Sequence, residues 1–108
     1  MKKLLFVCSE NRLRSPTAEA VFSSYENVEA IGAGTNKDSE NPITGDLIRW
    51  ADVILVMEKT HRSKISKKYR AQLSGKRLCV LEIPDNFEYM DPRLVQLLKA
   101  KVPRYVQF

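Results

Sequence analysis

Four apolar residues, Leu4-Leu5-Phe6-Val7, give way at Cys8 to a polar stretch and then to Ser15-Pro16. The apolar run, β-branched at its end, predicts a buried strand over Lys3 to Val7. Ser15 as N-cap and Pro16 as first helical residue predict a helix, with Ala18, Val21 and Phe22 at helical spacing and an end near Tyr25. So short a passage from strand to helix commits the chain to a β-loop-α unit. It also aims backbone N–H groups and the positive end of the helix dipole into one small volume that suits a phosphate-sized dianion. Cys8 and Arg14 stand six positions apart on that loop. The N–H groups, the dipole and Arg14 would favour a thiolate, so Cys8 reads as a nucleophile rather than an inert buried thiol.

The remaining chain repeats the alternation. Val28 to Ile31 predicts a second strand running into Gly32-Ala33-Gly34, and Thr35 to Asn41 a surface loop. Pro42 to Ala51, with Ile43, Leu47, Ile48 and a packed Trp50, predicts a second helix. Val53 to Met57 is apolar throughout, as a parallel strand buried on both faces is. Thr60 is expected to cap a third helix carrying Ile65, Tyr69 and Leu73 on one stripe, with Gly75 ending it. Leu78 to Ile83 predicts a fourth strand, stopped by Pro84-Asp85-Asn86. Asp91-Pro92 repeats the cap signature before Leu94, Val95, Leu97 and Leu98, and Pro103 marks the end of that last helix. Strands alternating with helices over short connections imply an α/β fold with a parallel sheet and sites at the carboxyl ends of its strands. Cys8 to Arg14 and Asp85 both fall there.

At 108 residues the chain is expected to form one domain. Only Cys8 and Cys79 are present. The first sits in a polar loop and the second is expected in the core, so a disulfide framework is disfavoured and a reducing, cytoplasmic setting is expected. The opening MKKLLFVCSE meets Glu10 before a signal-peptide core can form, and no membrane insertion is expected. The net charge of +5 concentrates between Lys59 and Arg77. Such a face attracts nucleic acid, anionic membrane or acidic substrates, but a solvated helix face explains it more simply and nucleic acid is disfavoured. His61, the only histidine, is expected in the exposed first turn of the third helix rather than as a catalyst. No cluster of ligating residues points to a metal, and no cofactor is expected.

The stretch VCSENRLRSP, Val7 to Pro16, resembles the phosphate-binding loop of the low-molecular-weight protein tyrosine phosphatase family, in a shortened bacterial form. GAGT at Gly32 to Thr35 and PITGDLIRWADVILVMEKTH at Pro42 to His61 fit that family's order. The resemblance implies a three-layer sandwich with a four-stranded parallel sheet in the order 2-1-3-4 and helices on both faces. It also implies a phosphorylated protein, or a small aryl phosphate, as substrate. Cys8 would form a phosphocysteine, Arg14 would grip two phosphate oxygens, and Asn11 would brace the loop. The Ser15 hydroxyl would donate to sulfur, and Ser9, Glu10, Asn11, Arg12 and Leu13 would line the substrate. An aspartate would protonate the leaving group and then activate water. Asp85, at a strand end, is preferred over Asp91, which an N-cap role already explains, and Phe87 or Tyr89 would wall the substrate ring.

Glu10, Arg12 and Leu13 depart from the family's usual loop residues. A carboxylate beside a dianion site is unfavourable unless it points outward or pairs with Arg12. Three other readings stay open: an anion-binding module without turnover that docks nucleic acid or an acidic partner, arsenate reduction, and hydrolysis of phosphoarginine. Arsenate reduction on this fold uses two later cysteines, and only Cys79 follows Cys8.

Overall fold

Strand β1 (Lys2–Cys8) is buried from Leu4 onward and is the spine of the molecule, which a computed structural model describes over all 108 residues. After it come α1 (Arg14–Ser23), β2 (Val28–Gly34), α2 (Gly45–Trp50), β3 (Val53–Val56) and α3 (Lys59–Lys68). The short helix α4 (Arg70–Leu73), β4 (Arg77–Val80) and α5 (Pro92–Lys101) complete the chain, with a 3₁₀ turn at Val102–Arg104. The four strands pair in parallel in the order β2-β1-β3-β4. The fold class and strand order are those expected.

The side-chain period of a strand decides which residues share a core. Leu4, Phe6 and Cys8 of β1, with Val53 and Leu55 of β3, face α1 and α5 in a core of 17 buried residues. Leu5 and Val7, with Ile54 and Val56, face the opposite layer, where Ile48 of α2 and Ile65 of α3 close a second core. Both central strands are therefore buried on both faces, as their unbroken apolar runs require. Cys8 lies on the α1 side of the sheet.

Several boundaries differ from expectation for local reasons. Helix α1 begins at Arg14 with Leu13 as N-cap and no side-chain cap bond, because the Ser15 hydroxyl turns inward instead. Pro42 and Ile43 precede the second helix: Gly34 and Pro42 form a bridge, and Thr44 caps α2 through Leu47 N–H. The third helix is capped by Glu58, not Thr60, and breaks at Tyr69 into α3 and α4. The fourth strand ends early because Glu82 takes a left-handed conformation at φ 57°. Even so, Leu81 and Ile83 N–H still bond Val56 and Met57 carbonyls at 2.8 and 2.9 Å, extending the ladder to Pro84. Lys101 Nζ ties this segment down from α5 through Leu81 and Glu82 carbonyls. Cys79, expected in the core, is only half-buried because β4 is the sheet's edge. Trp50 packs partly against the second core, as expected.

Candidate active site

The loop from Ser9 to Leu13 leaves the carboxyl end of β1 and is held from below by β2. A Cβ on Gly32 would lie 2.7 Å from Asn11 Oδ1 and 2.9 Å from the Ser15 carbonyl oxygen, so only glycine lets the loop sit this close. Gly34 is similarly constrained, with Ser9 O 2.6 Å from the position a Cβ would take. Thr35 and Asn36 N–H bond the Cys8 and Ser9 carbonyls at 2.9 and 3.0 Å, continuing the strand pairing into the loop.

Inside the loop, hydrogen bonds converge on sulfur. Asn11, in a left-handed conformation at φ 55°, donates its N–H to Cys8 Sγ at 3.2 Å. Ser15 Oγ lies 2.9 Å from the same sulfur and 2.6 Å from Asn11 Oδ1. A hydroxyl has one proton to give. With a thiol at Cys8, S–H donates to Ser15 and Ser15 donates to Asn11; with a thiolate, the Ser15 proton can turn to sulfur. The N–H groups of Ser9, Glu10, Arg12 and Leu13 find no acceptor elsewhere in the chain.

Arg14 is 3% exposed, and the protein meets part of what its buried guanidinium needs. Nη1 donates to Glu58 Oε2 at 2.6 Å and to the Ile83 carbonyl at 2.8 Å. That leaves Nε and Nη2, one edge of the guanidinium, without a hydrogen bond in the protein, and Asp85 Oδ1 lies 3.6 Å from Nε. Cys8, Arg14 and Asp85 line one cleft of about 410 Å³, together with Ser9, Glu10, Arg12, Leu13 and Asn36.

Glu10 lines the cleft but is not left as a lone carboxylate there. It is more than half exposed, and Arg12 bridges it at 3.8 Å while reaching Glu40 at 3.9 Å. The two residues form the rim.

Other expected residues lie elsewhere. Asp91 caps α5 by accepting from Arg93 N–H and pairs with the Arg93 side chain, whose hydrogen bond holds the carboxyl below its usual pKa. It does not line the cleft. Phe87 packs against the first core with the Arg93 guanidinium 5.5 Å from its ring centroid, and Tyr89 is 53% exposed. Neither walls the cleft, because the chain after Asp85 turns toward α1, where Met90 N–H bonds Thr17 Oγ1 at 2.9 Å.

Two contributors escape a reading of the sequence. Glu58 is one, although a carboxylate just past the end of a strand adjoining β1 is placed to meet Arg14. His61 is the other: it occupies the first turn of α3 as expected but is 1% exposed, not solvated. Its Nδ1 accepts from Glu58 N–H at 3.0 Å, so the neutral ring carries its proton on Nε2, 3.0 Å from Ser9 Oγ. Burial, then the Arg14 charge, lowers its pKa from 6.5 to about 4. Neutral His61 thus donates to Ser9 and leaves the Ser9 hydroxyl proton free to face the cleft.

No family model matches the sequence, and no curated protein matches it. Solved structures do match in fold. SP-PTP, a low molecular weight protein tyrosine phosphatase from Streptococcus pyogenes, superposes with a TM-score of 0.80 at 19% identity over 99% of this chain and 95% of that one. The tyrosine phosphatase Wzb from Escherichia coli K30, in complex with phosphate, gives 0.74 at 22% identity over 96% and 95%. The YwlE arginine phosphatase from Geobacillus stearothermophilus gives 0.73 at 20% identity over 92% and 89%. The chain therefore has, over nearly its whole length, the fold on which these phosphatases are built.

Proposed function

We propose that the protein is a cysteine-dependent phosphomonoesterase acting on aryl phosphates, with protein phosphotyrosine as the substrate class. The observation that carries this reading is the convergence of Cys8, Arg14 and Asp85 on one cleft that is also lined by Ser9, Glu10, Arg12 and Leu13, whose backbone N–H groups are unpaired. An aryl phosphate dianion seated on those groups would take two oxygens on Arg14 Nε and Nη2. The Cys8 thiolate attacks phosphorus, the bond to the phenolic oxygen breaks, and Asp85 gives that oxygen its proton. Water then attacks the phosphocysteine and loses a proton to Asp85. The S–P bond breaks, returning the thiolate and releasing inorganic phosphate. Asp85 is preferred to Asp91 because it lines the cleft, 3.6 Å from Arg14 Nε, while Asp91 is occupied at the start of α5.

A second reading, hydrolysis of phosphoarginine, draws support from the rim. No aromatic residue walls the cleft, and exposed Glu10 and Asp85 could meet a guanidinium leaving group. The fold is shared by tyrosine and arginine phosphatases alike.

Hydrolysis of para-nitrophenyl phosphate and of matched phosphotyrosine and phosphoarginine peptides tests both. The reading requires aryl phosphate turnover by wild type and none by Cys8→Ser. Turnover that survives Cys8→Ser would overturn it, and turnover confined to the phosphoarginine peptide would select the second reading.

A further inference from the structure

Beside the cleft, and sharing Asn36 with it, lies a second groove of about 180 Å³. Its apolar surface comes from Pro42, Ile43 and Ile65. Its charged surface comes from Lys37 of the loop after β2 and from Lys64 and Lys68, one turn apart on α3. None of these three lysines has a carboxylate oxygen within 4.0 Å, and Lys68 Nζ lies 5.5 Å from the centroid of the Tyr69 ring that also lines the groove. Two lysines at i and i+4 repel one another and weaken the helix that carries them. A third cation across the groove, with no acid lining it, adds to that cost.

The groove is built rather than incidental. Tyr69, at the break between α3 and α4, donates its hydroxyl to the Ile43 carbonyl at 3.1 Å and fixes the wall. Thr35 lines the groove, and its Oγ1 is buried without a hydrogen-bond partner. The opposite wall is tied to the nucleophile loop itself through Thr35 and Asn36 N–H on the Cys8 and Ser9 carbonyls.

We propose that this lysine groove is a subsite for a second anionic group, an acidic side chain carried by the same phosphopeptide whose phosphate occupies the Cys8 loop. The inference rests on the phosphatase reading above. The shared Asn36 wall places the groove next to the cleft, so a peptide leaving the cleft on that side crosses the three lysines. Lys64 and Lys68, two of the cations of the basic segment after Lys59, then have a use beyond solubility.

The test compares two phosphotyrosine peptides, identical except that flanking Glu and Asp residues in one are Gln and Asn in the other. Wild type should show a KM about three- to tenfold lower for the acidic peptide, the size of effect a few exposed ion pairs can supply. That advantage should shrink as salt is raised. The Lys64→Gln/Lys68→Gln double variant should bring the two KM values together while kcat, and both constants for para-nitrophenyl phosphate, stay unchanged. Binding of the same peptides to Cys8→Ser, read by fluorescence anisotropy, should show the same preference without turnover. Absent turnover with the preference intact would defeat only the catalytic reading. Equal handling of the two peptides by wild type, a preference that survives the double variant, or no binding of either peptide would overturn the subsite.

Discussion

Glu58 Oε2 accepts a hydrogen bond from Arg14 Nη1 at 2.6 Å, joining the N-cap of α3 to the first residue of α1. With the Ile83 carbonyl taking the other Nη1 hydrogen, the guanidinium cannot rotate freely, and its Nε–Nη2 edge is held in place. Positioning of this kind matters because a misplacement of about 1 Å can cost about a hundredfold in rate. Glu58→Ala should lower kcat/KM on an aryl phosphate by about ten- to a hundredfold and weaken inhibition by vanadate in step. Glu58→Gln, which keeps an acceptor, should recover much of both. Equal effects of the two substitutions on melting temperature, with vanadate inhibition unmoved, would show a purely structural role.

The two aspartates separate cleanly. Asp85→Asn should reduce turnover by about a hundred- to ten-thousandfold, the range for loss of a general acid and base, while Cys8 still reacts with an alkylating reagent. Asp91→Ala should lower the melting temperature through loss of the α5 cap and leave kcat unchanged. The opposite assignment of kinetic effects would place the acid at Asp91.

The βα alternation, the parallel sheet and the placement of Cys8 and Arg14 were legible in the sequence because unbroken apolar runs and helix-start residues carry that information locally. Ser15 was legible as a partner for the Cys8 sulfur but not as a residue withheld from capping, since its partners are brought in by a loop that folds back on itself. Phe87 and Tyr89 were misplaced because chain order after Asp85 does not say which way the segment turns. Glu58 and His61 act across distances of 44 and 52 residues, on Arg14 and Ser9, and no local pattern records such pairings.

His61 should make stability depend on pH. Its pKa is about 4 in the folded chain and near 6.5 unfolded, so between those values only the unfolded state takes up the proton. Stability should therefore be full above about pH 6.5 and fall as pH drops toward about 4, by about 2 to 3 kcal/mol from this group. Urea denaturation across that range checks it. His61→Gln should flatten that part of the slope, and an unchanged slope would remove His61 as its source.

Gly32→Ala should damage the site more than the fold. The added methyl meets Asn11 Oδ1 and the Ser15 backbone, so the loop must move for it to fit. Overpacking of this kind costs about 1–3 kcal/mol, and here the strain falls on two neighbours of the Cys8 sulfur. A protein that still folds but has lost most of its kcat, measured by urea denaturation and aryl phosphate turnover, is the expected result.

The most direct test of the central claim is to quench wild-type protein in acid during turnover of an aryl phosphate and locate covalent phosphate by peptide mass spectrometry. Phosphate should be found on Cys8 and on no other residue, and no phosphocysteine should form in Cys8→Ser. Steady turnover by wild type with Cys8 never phosphorylated, or undiminished turnover in Cys8→Ser, would contradict the account.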